Sequence, residues 1–391
     1  MIKSLKIHNF KSLHDFSIDF DKLTCLVGLN GSGKSTILQA LGFLSSVMSG
    51  TVKEWMGKHS WEGKEIRSSI VSDSSRFSVY FCVEVEVEKG YIYWVGKYNT
   101  SNEYGRCTNE SVLFSQLRGI NFAETVFHSK NNRIKIKNKP IFNADRLYNG
   151  SILATFPQEL LPWECQELIQ EVKGLASMDL LSPRDMRRRS RTTNAEEQIG
   201  DRGELIASYL SVMPPEVLNG SFLESLKRFF PSVRKLNTKR KQGGWTELSV
   251  CESFGEKEIE TVAGHCNDGM LRILAILSQL QGKKKILCFD EIENGISIDI
   301  LEILLTLLEK ADKQIILTTH SILVLNYLDP KDIFLVYKDA RGRTKSKSLD
   351  QLPAIQKNLQ FYDAGDALYA SSLNEITQQA TEFEMEKDKK L

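Results

Sequence analysis

The chain has 391 residues, a length typical of two or three lobes, and its hydrophobic content of 41% excludes an intrinsically disordered protein. Its 51 basic and 50 acidic residues leave a net charge of +1, so total charge does not indicate a nucleic-acid-binding protein. The seven cysteines lack metal-ligand spacing, no run of ~18 apolar residues occurs, and the start lacks the apolar core of a signal peptide. We therefore expect a soluble, reduced, cytoplasmic chain without a membrane partner.

The first lobe, residues 1–150, is predicted to combine strands with a glycine-rich turn and a helix. The alternating pattern of residues 2–27 ends in the apolar run "LTCLVG", and "STILQALGFLSSVM" has apolar residues at helical spacing. Residues 77–98 alternate around Lys89-Gly90, which predicts a hairpin, and "NRIKIKNKPIF" is a further predicted strand. We therefore expect an antiparallel sheet in this lobe.

The middle of the chain, residues 151–260, is predicted to be a mainly helical insertion. Its helical pattern is interrupted between Leu181 and Gly200 by the polar, basic segment "SPRDMRRRSRTTN". Two interpretations of this segment remain open: a mobile or ligand-ordered loop, and a solvated loop without a role.

The region 261–345 alternates between predicted strands and a helix. The runs "ILCFDE" and "QIILTTH" flank a helical pattern from Ile298 to Leu308, and "DIFLVYKD" is a third strand. Such alternation predicts a parallel sheet with helices packed on it. Residues 346–391 remain as a tail, which ends in a polar segment predicted to be a frayed helix or a partner-docking element.

A phosphate-binding loop is predicted where the first lobe turns from strand to helix. The segment "GLNGSGKST", Gly28 to Thr36, matches G-x-x-x-x-G-K-[ST] in the required strand and helix context. Glycines let successive N–H groups face one concavity, which binds the β- and γ-phosphates together with the helix N-terminus. We expect ATP and Mg²⁺, with Lys34 on the phosphates and Ser35 on the metal. The predicted nucleotide-binding residues of the loop are Asn30, Gly31, Ser32, Gly33, Lys34, Ser35 and Thr36.

Carboxylates and a histidine at the ends of two apolar strands are the predicted catalytic groups. In "KILCFDEIE", Asp290 is expected to enter the Mg²⁺ shell and Glu291 to act as base for the attacking water. Glu293 is the alternative base. His320 ends the strand 30 residues after Asp290 (320 minus 290), where a sensor of the γ-phosphate is expected, although a structural histidine is the alternative.

These motifs resemble those of one class of ATPase. The segments 28–36, 286–291 and 319–320 resemble the Walker A, Walker B and switch histidine of the ABC-type ATPase heads of the SMC, RecF and OLD families. The first forty residues are also similar to that class, which implies that Phe10, Lys11 and Ser12 lie near the base and phosphates. The implied fold is α/β: an ABC-type P-loop ATPase head with a mixed or antiparallel N-terminal β lobe and a helical insertion. Residues 1–150 and 261–345 are then its N- and C-terminal ATPase lobes.

The resemblance also implies a signature motif at the segment "HCNDGMLRIL". Asn267, Asp268 and Gly269 would open a helix and contact the γ-phosphate held by the other subunit of an ATP-dependent dimer. OLD-like proteins commonly have serine where this chain has Asn267, but an amide donates a hydrogen bond to phosphate as a hydroxyl does. Asn267 is also a favourable helix N-cap, so both roles are expected of it.

The sequence is compatible with three functions. "IFNADRLYNGS" and "EEQIGDRGELIASYL" resemble OLD-like ATPases of bacterial antiphage operons, including that of the Septu system, which implies an ATPase that regulates a separately encoded effector, expected to be a nuclease. The alternative is a DNA-repair or chromosome-associated RecF/SMC-like ATPase, although no sustained heptad run occurs. A transporter ATPase is disfavoured because residues 77–98 contain no glutamine.

The sequence disfavours a nuclease but contains two basic runs that could contact nucleic acid. Only 71 residues follow His320 (391 minus 320), without an Asp-x-Asp pair, so an intrinsic nuclease is not expected. The basic runs Arg184 to Arg191 and Arg234 to Lys241 are candidates for contact with DNA or RNA through phosphates, or else are solvated surface.

Overall fold

The computed structural model describes residues 1–70, 77–100, 105–131, 133–137, 139–143, 149–178, 181–191, 198–371 and 376–377. The strands in these ranges are β1 Ile2–His8, β2 Phe16–Asp19, β3 Leu23–Val27, β4 Ser78–Val87, β5 Gly90–Asn99, β6 Arg106–Ser115, β7 Glu124–Lys130, β8 Arg133–Ile136, β9 Lys139–Asn143, β10 Leu175–Ser177, β11 Ser190–Arg191, β12 Val233–Arg240, β13 Trp245–Phe254, β14 Lys257–Val262, β15 Ile286–Phe289, β16 Gln314–Thr318, β17 Ile333–Lys338 and β18 Thr344–Ser348. The α-helices are α1 Lys34–Ser49, α2 Val52–Lys58, α3 Trp163–Lys173, α4 Pro183–Met186, α5 Ile206–Val212, α6 Pro215–Val217, α7 Leu223–Lys227, α8 Asp268–Gln281, α9 Ile298–Lys310, α10 Ile322–Tyr327, α11 Pro353–Asn358 and α12 Ala364–Ala370.

The chain divides into two compact units. The first contains Met1–Leu175 with Gln314–Leu391, and the second contains Ala176–Lys313. The first unit is therefore built from two separate stretches of chain. No helix in the described ranges is long and apolar enough to cross a membrane.

A large antiparallel sheet dominates the first unit. In the described ranges its eight strands follow the order β2-β1-β4-β5-β6-β7-β8-β9. Val87 pairs with Gly90, so β4 and β5 are joined by a two-residue turn, and Gly90 has a φ of 144°, which favours glycine. The predicted hairpin around Lys89-Gly90 is confirmed.

Parallel strands in the first unit place the ends of several segments at one sheet edge. The strands follow the order β16-β3-β17-β18, with β16 and β17 parallel to β3 and β18 antiparallel to β17. Thr318 pairs with Leu26, so the residues that follow β16 and those that follow β3 lie at the same end of the parallel strands, their carboxyl end. The predicted parallel pairing is confirmed, and α1 buries the residues Ile37, Leu38, Leu41, Phe43 and Leu44.

The second unit contains a sheet that the expected helical insertion does not include. β13 pairs with β12, β11 and β14, all antiparallel, so residues 233–262 form strands. Val233 and Leu236 are the buried apolar residues of β12, and the rest of that strand is polar. These two apolar residues are three positions apart within a basic run, so β12 lacks the alternation that would have predicted a strand.

The described part of the segment 181–200 is also more regular than the expected loop. Ser182 caps α4 by accepting a hydrogen bond from the Asp185 N–H at 3.3 Å, and Ser190 pairs with Thr246 in β13. Residues 192–197 of this segment lie outside the described residues. The predicted tail helix also lies outside them, except for residues 376–377, whereas α11 and α12 occupy the preceding stretch.

Candidate nucleotide-binding site

The loop between β3 and α1 has the glycine geometry of a phosphate-binding loop. Gly28, Gly31 and Gly33 have φ values of 154°, 76° and 114°. A Cβ at Gly28 would lie 2.1 Å from the main-chain oxygen of Val336, and one at Gly33 would lie 2.3 Å from Oγ1 of Thr344. Glycine is therefore needed at both positions, for conformation and for space.

The N-terminus of α1 presents an anion-binding concavity. Within the described residues, no side chain caps this end of the helix, whose N-cap Gly33 has the left-handed conformation. Ser32 Oγ is buried and has no hydrogen-bond partner in the described part of the chain. The buried Lys34 donates from Nζ to the main-chain oxygens of Gly28 at 2.8 Å and Leu29 at 3.3 Å. Helix dipole, N–H groups and ammonium together suit a phosphate.

The remaining loop residues occupy the tip of the loop and the first helical turn. Asn30 and Gly31 are exposed at the tip, while Ser35 and Thr36 are half-buried in the first turn of α1. Ser35 directly follows Lys34 at the start of α1, which is the position where the motif has a hydroxyl that binds the metal.

Ser12 is connected to the phosphate-binding loop by a residue that the motifs do not indicate. Its Oγ lies 2.7 Å from Thr344 Oγ1, and the Thr344 hydroxyl donates to the main-chain oxygen of Ser32 at 2.8 Å. Thr344 belongs to the edge strand β18, which carries no motif. The structure thus places Ser12 beside the loop, as the resemblance implied, and adds Thr344 to the candidate site.

Lys11 lies between α1 and an aromatic cavity. Its Nζ is 3.0 Å from Gln39 Oε1 and 3.0 Å from the ring centre of Trp61. A cavity of about 620 Å³ is lined by Trp61, Phe77 and Tyr98, among others. The buried Tyr98 hydroxyl has no hydrogen-bond partner among the described residues. Aromatic faces and an unsatisfied hydroxyl suit a planar heterocycle.

His320 lies at the sheet edge where the phosphate-binding loop begins. It follows β16 by two residues, and Thr319 N donates to the main-chain oxygen of Leu26 at 3.3 Å. The His320 side chain is exposed, and its main-chain oxygen accepts a hydrogen bond from the Tyr369 hydroxyl at 3.3 Å. In the first unit, Lys11, Ser12, the glycine loop and His320 therefore belong to one region.

In the second unit, the two acidic candidates follow the buried strand β15. Asp290 is half-buried, whereas Glu291 is exposed and has a φ of 48°. Asn294 donates to Glu291 twice, from its N–H at 2.9 Å and from Nδ2 to Oε2 at 3.1 Å. A left-handed conformation at a residue other than glycine costs about 1–3 kcal/mol and is concentrated at functional sites. Glu293, the alternative base, has no such conformation.

The start of α8 has the geometry expected of a signature motif. Asn267 Oδ1 accepts from the Met270 N–H at 2.7 Å, which confirms the predicted N-cap and leaves the exposed Nδ2 group as a donor. A Cβ at Gly269 would lie 2.9 Å from the main-chain oxygen of Gly295. Gly295 is the last residue of the turn that follows Glu291. The predicted signature at the start of α8 therefore packs against the turn that carries the acidic residues.

Two arginines that the sequence analysis missed support this region. Arg187 Nη2 donates to the main-chain oxygen of Cys266 at 2.9 Å and also pairs with the Asp268 carboxylate. Burial lowers the pKa of Arg272, while the carboxylates of Asp268 and Glu291 raise it. Arg187 lies in the basic run 184–191, which suggested only surface charge, and no motif indicated Arg272 in α8.

Part of the positive charge in the basic runs of the second unit is paired with carboxylates. Arg189 lies 2.6 Å from Glu247, which also pairs with Lys241 at 2.8 Å, and Lys239 lies 3.0 Å from Glu260. Hydrogen bonds from Ser249, Lys239 and Asn237 lower the pKa of Glu260 to about 2, so this carboxylate is ionised at neutral pH. Because these cations are paired within the chain, fewer of them are available to contact the phosphates of a nucleic acid.

The glycine loop between a strand and a helix, with parallel strands beside it, defines a P-loop ATPase fold. The chain belongs to the family described as "AAA domain, putative AbiEii toxin, Type IV TA system", whose model matches residues 23–326.

Relatives with known structures support the same architecture. The chain is similar to a crystal structure of an SMC head bound to the C-terminal winged-helix domain of ScpA, with 12% identity, a TM-score of 0.55 and coverage of 91% of this chain and 99% of that one. A second match is the Smc head with an extended coiled coil bound to the C-terminal domain of ScpA from Pyrococcus furiosus, with 11% identity, a TM-score of 0.53 and coverage of 92% and 99%. These likenesses confirm the predicted mixed α/β ATPase-head fold.

A curated relative matches over a short segment. The DNA double-strand break repair Rad50 ATPase of Methanococcus maripaludis is 50% identical over 44 residues, which are 11% of this chain. The match spans only 4% of that protein's length.

Proposed function

We propose that the protein binds ATP with Mg²⁺ in the loop from Asn30 to Thr36 and hydrolyses it to ADP and phosphate. The observation that carries this proposal is the concavity at the start of α1, where the helix end lacks a side-chain cap and Ser32 Oγ is a buried, unsatisfied polar atom among the described residues. A γ-phosphate oxygen satisfies both groups. Lys11 and the aromatic cavity beside it accommodate the base.

Each candidate residue has one role in this reaction. Ser35 would be the hydroxyl ligand of Mg²⁺ in the loop, and Asp290 is the carboxylate we assign to the metal; Mg²⁺ would neutralise phosphate charge. Glu291 accepts the proton of the attacking water, and the hydrogen bond from Asn294 Nδ2 holds its carboxylate. His320 donates a hydrogen bond to the γ-phosphate from the sheet edge that also begins the loop.

The functional form is a dimer assembled on ATP. Asn267 and Gly269 of one copy close on the nucleotide held by Lys34 of the other, while Asp268 stays paired with Arg187. The exposed Nδ2 of Asn267 and the N-terminus of α8 are the groups that contact the phosphate.

ATP hydrolysis and mass measurements on four proteins test these roles. Glu291→Gln is expected to bind ATP, to lose about 100-fold in hydrolysis rate and to double its mass from 44.4 kDa with ATP and Mg²⁺. Lys34→Ala is expected to lose nucleotide binding, and Glu293→Gln is the matched control that keeps activity. If Glu293→Gln lost activity and Glu291→Gln kept it, the base would be Glu293. If Glu291→Gln stayed monomeric in saturating ATP and Mg²⁺, the dimer would be wrong.

The biological role we propose is regulation of a separately encoded effector, a nuclease in antiphage defence. The family description, which names a toxin of a toxin–antitoxin system, supports a defence-type role. The ion pairs of Arg189, Lys239 and Lys241 also weaken the case for the chain itself as the nucleic-acid-binding component.

The second candidate is a DNA-associated ATPase, which the Rad50 segment and the SMC-head fold favour. Double-stranded DNA added to the purified chain separates the two. The effector proposal predicts no DNA cleavage by the chain alone and an unchanged ATPase rate. Stimulation of the rate that disappears with added salt would support the DNA-associated alternative instead.

A further inference from the structure

A cluster of two histidines and one aspartate lies at the end of β1, outside the phosphate-binding loop. His8 Nδ1 is 2.7 Å from Asp15 Oδ1, and His14 Nε2 is 3.3 Å from Asp15 Oδ2. The two imidazole rings are 4.5 Å apart between centroids. One potential ligand atom from each of the three residues lies within 4.8 Å of the other two. Three ligands of metal-binding type therefore converge on one small volume.

The loop that carries this cluster is held in an unusual backbone conformation. Asn9, Lys11 and Asp15 have φ values of 66°, 47° and 49°, in the left-handed region that residues other than glycine rarely adopt. The fully buried Asn9 fixes the loop by donating from Nδ2 to the Ser78 oxygen at 2.7 Å and accepting from the Ser68 N–H at 3.1 Å. The Asn9 contacts thus hold the loop backbone next to His8 independently of the bond between His8 and Asp15.

A structural role explains only part of the cluster. The bond from His8 to Asp15 is well formed, but His14 Nδ1 is buried without a hydrogen-bond partner among the described residues. The contact of His14 Nε2 with Asp15 is long at 3.3 Å. Buried polar atoms are normally satisfied, so hydrogen bonding does not account for the position of the His14 ring.

We propose that His8, His14 and Asp15 form a binding site for a divalent transition metal of the zinc class. Two imidazole nitrogens and one carboxylate suit Zn²⁺, Co²⁺ or Fe²⁺, with further positions open to water, whereas Mg²⁺ prefers a set of oxygen ligands. Ligands at about 2.0–2.1 Å from a tetrahedral ion lie about 3.3 Å apart. The observed separation of 2.7 Å between His8 and Asp15 needs only a small opening.

The surroundings leave the site accessible and limit its affinity. Both histidines are half-buried, while Asp15 is exposed, so an ion reaches the cluster from solvent. Lys345 Nζ lies 3.5 Å from the main-chain oxygen of Asp15, and this cation opposes a bound dication. Thr344, the neighbour of Lys345 in β18, contacts both Ser12 and Ser32, so the cluster and the phosphate-binding loop share one supporting strand.

Titration of the full chain with Co²⁺, followed by displacement with Zn²⁺, tests the site. The wild-type protein is expected to bind one Co²⁺ with the visible absorption of nitrogen and oxygen ligands. His8→Ala, His14→Ala and Asp15→Asn are each expected to weaken binding about tenfold or more. Asparagine tolerates the left-handed backbone of residue 15, so Asp15→Asn preserves the loop. His128→Ala, which removes a histidine from β7, is the control that keeps Co²⁺ binding.

A second measurement separates metal binding from a structural role. Zn²⁺ is expected to raise the Tm of the wild-type protein and of Lys34→Ala, but not that of Asp15→Asn. Lys34→Ala also separates this site from the nucleotide site, because it removes only the latter. The proposal is overturned if wild type binds no Co²⁺, if all three ligand variants bind like wild type, or if the spectrum shows strong thiolate charge transfer.

Discussion

Thr344 donates a hydrogen bond of 2.8 Å to the main-chain oxygen of Ser32 across a sequence separation of 312 residues. The bond ties the edge strand β18 to the phosphate-binding loop, and the space that a Cβ of Gly33 would need is filled by the Thr344 side chain. A tertiary contact therefore holds the loop in place in addition to its own glycines.

Gly33→Ala is expected to unfold the loop locally and to abolish ATP binding. The added Cβ would lie 2.3 Å from Thr344 Oγ1 at a φ of 114°, so both a clash and backbone strain arise. The strain alone costs about 1–3 kcal/mol. Urea denaturation and binding of a fluorescent ATP analogue measure the two effects.

Gly31→Ala is the matched control for this change. Its φ of 76° is also left-handed, but nothing lies within 4 Å of a Cβ there. It is expected to cost about 1–2 kcal/mol from strain alone. Equal destabilisation by the two substitutions would show that Thr344 does not hold the loop.

Arg187→Ala is expected to reduce ATP hydrolysis without changing ATP affinity in the phosphate-binding loop. The guanidinium holds Cys266 and Asp268 immediately before and within the signature, and a lost charged hydrogen bond corresponds to about tenfold or more in rate. Arg188→Ala is the control, because Arg188 is largely exposed and its ion pair with Asp185 is long at 3.4 Å. Wild-type hydrolysis by Arg187→Ala would contradict this role.

Glu110 is expected to make the folded state less stable as the pH rises towards neutrality. Burial raises the pKa of its carboxyl from 4.5 to about 7, although hydrogen bonds from Ser151, Ile152 and Trp94 oppose the shift. The folded protein retains a proton that the unfolded chain releases. The stabilisation from the protonated Glu110 carboxyl is therefore complete below about pH 4.5 and is lost as the pH rises through about 7. The change is on the order of 3 kcal/mol.

Urea denaturation of wild type and Glu110→Gln across this pH range measures the contribution. Glutamine cannot titrate, so the difference in the free energy of unfolding between the two proteins is expected to vary between about pH 5 and about pH 7 and to be constant above. A difference that does not change with pH would show that the Glu110 carboxyl titrates normally.

The local motifs were predictable because short segments determine them. The glycine loop follows from its spacing between strand and helix, and the N-cap at Asn267 follows from a capping residue ahead of an apolar helical pattern. The hairpin at Lys89-Gly90 follows from strict alternation. Each signal involves residues that lie close together in the chain.

Long-range contacts gave no comparable signal. Thr344 reaches Ser32 from an edge strand without a motif, and Arg187 supports Cys266 from within what looked like a solvated basic run. The strands β12 and β13 lie in a region expected to be helical, and β12 has only two buried apolar residues, three positions apart, to indicate a strand. Partners distant in sequence decide these features, so a pattern read along the chain does not reveal them.

The two roles of Asn267 are separable by substitution. Its Oδ1 caps α8, while its exposed Nδ2 is the proposed donor to a phosphate on the other copy. Asn267→Ser preserves both a cap and a donor, so it is expected to keep stability, ATP-dependent dimerisation and hydrolysis. Asn267→Asp keeps a cap but replaces the donor by a negative charge. It is expected to keep stability but to lose dimerisation, measured in the Glu291→Gln background by light scattering. Because capping survives in both variants, a dimer that forms equally well with Asn267→Asp would exclude contact between this residue and the phosphate.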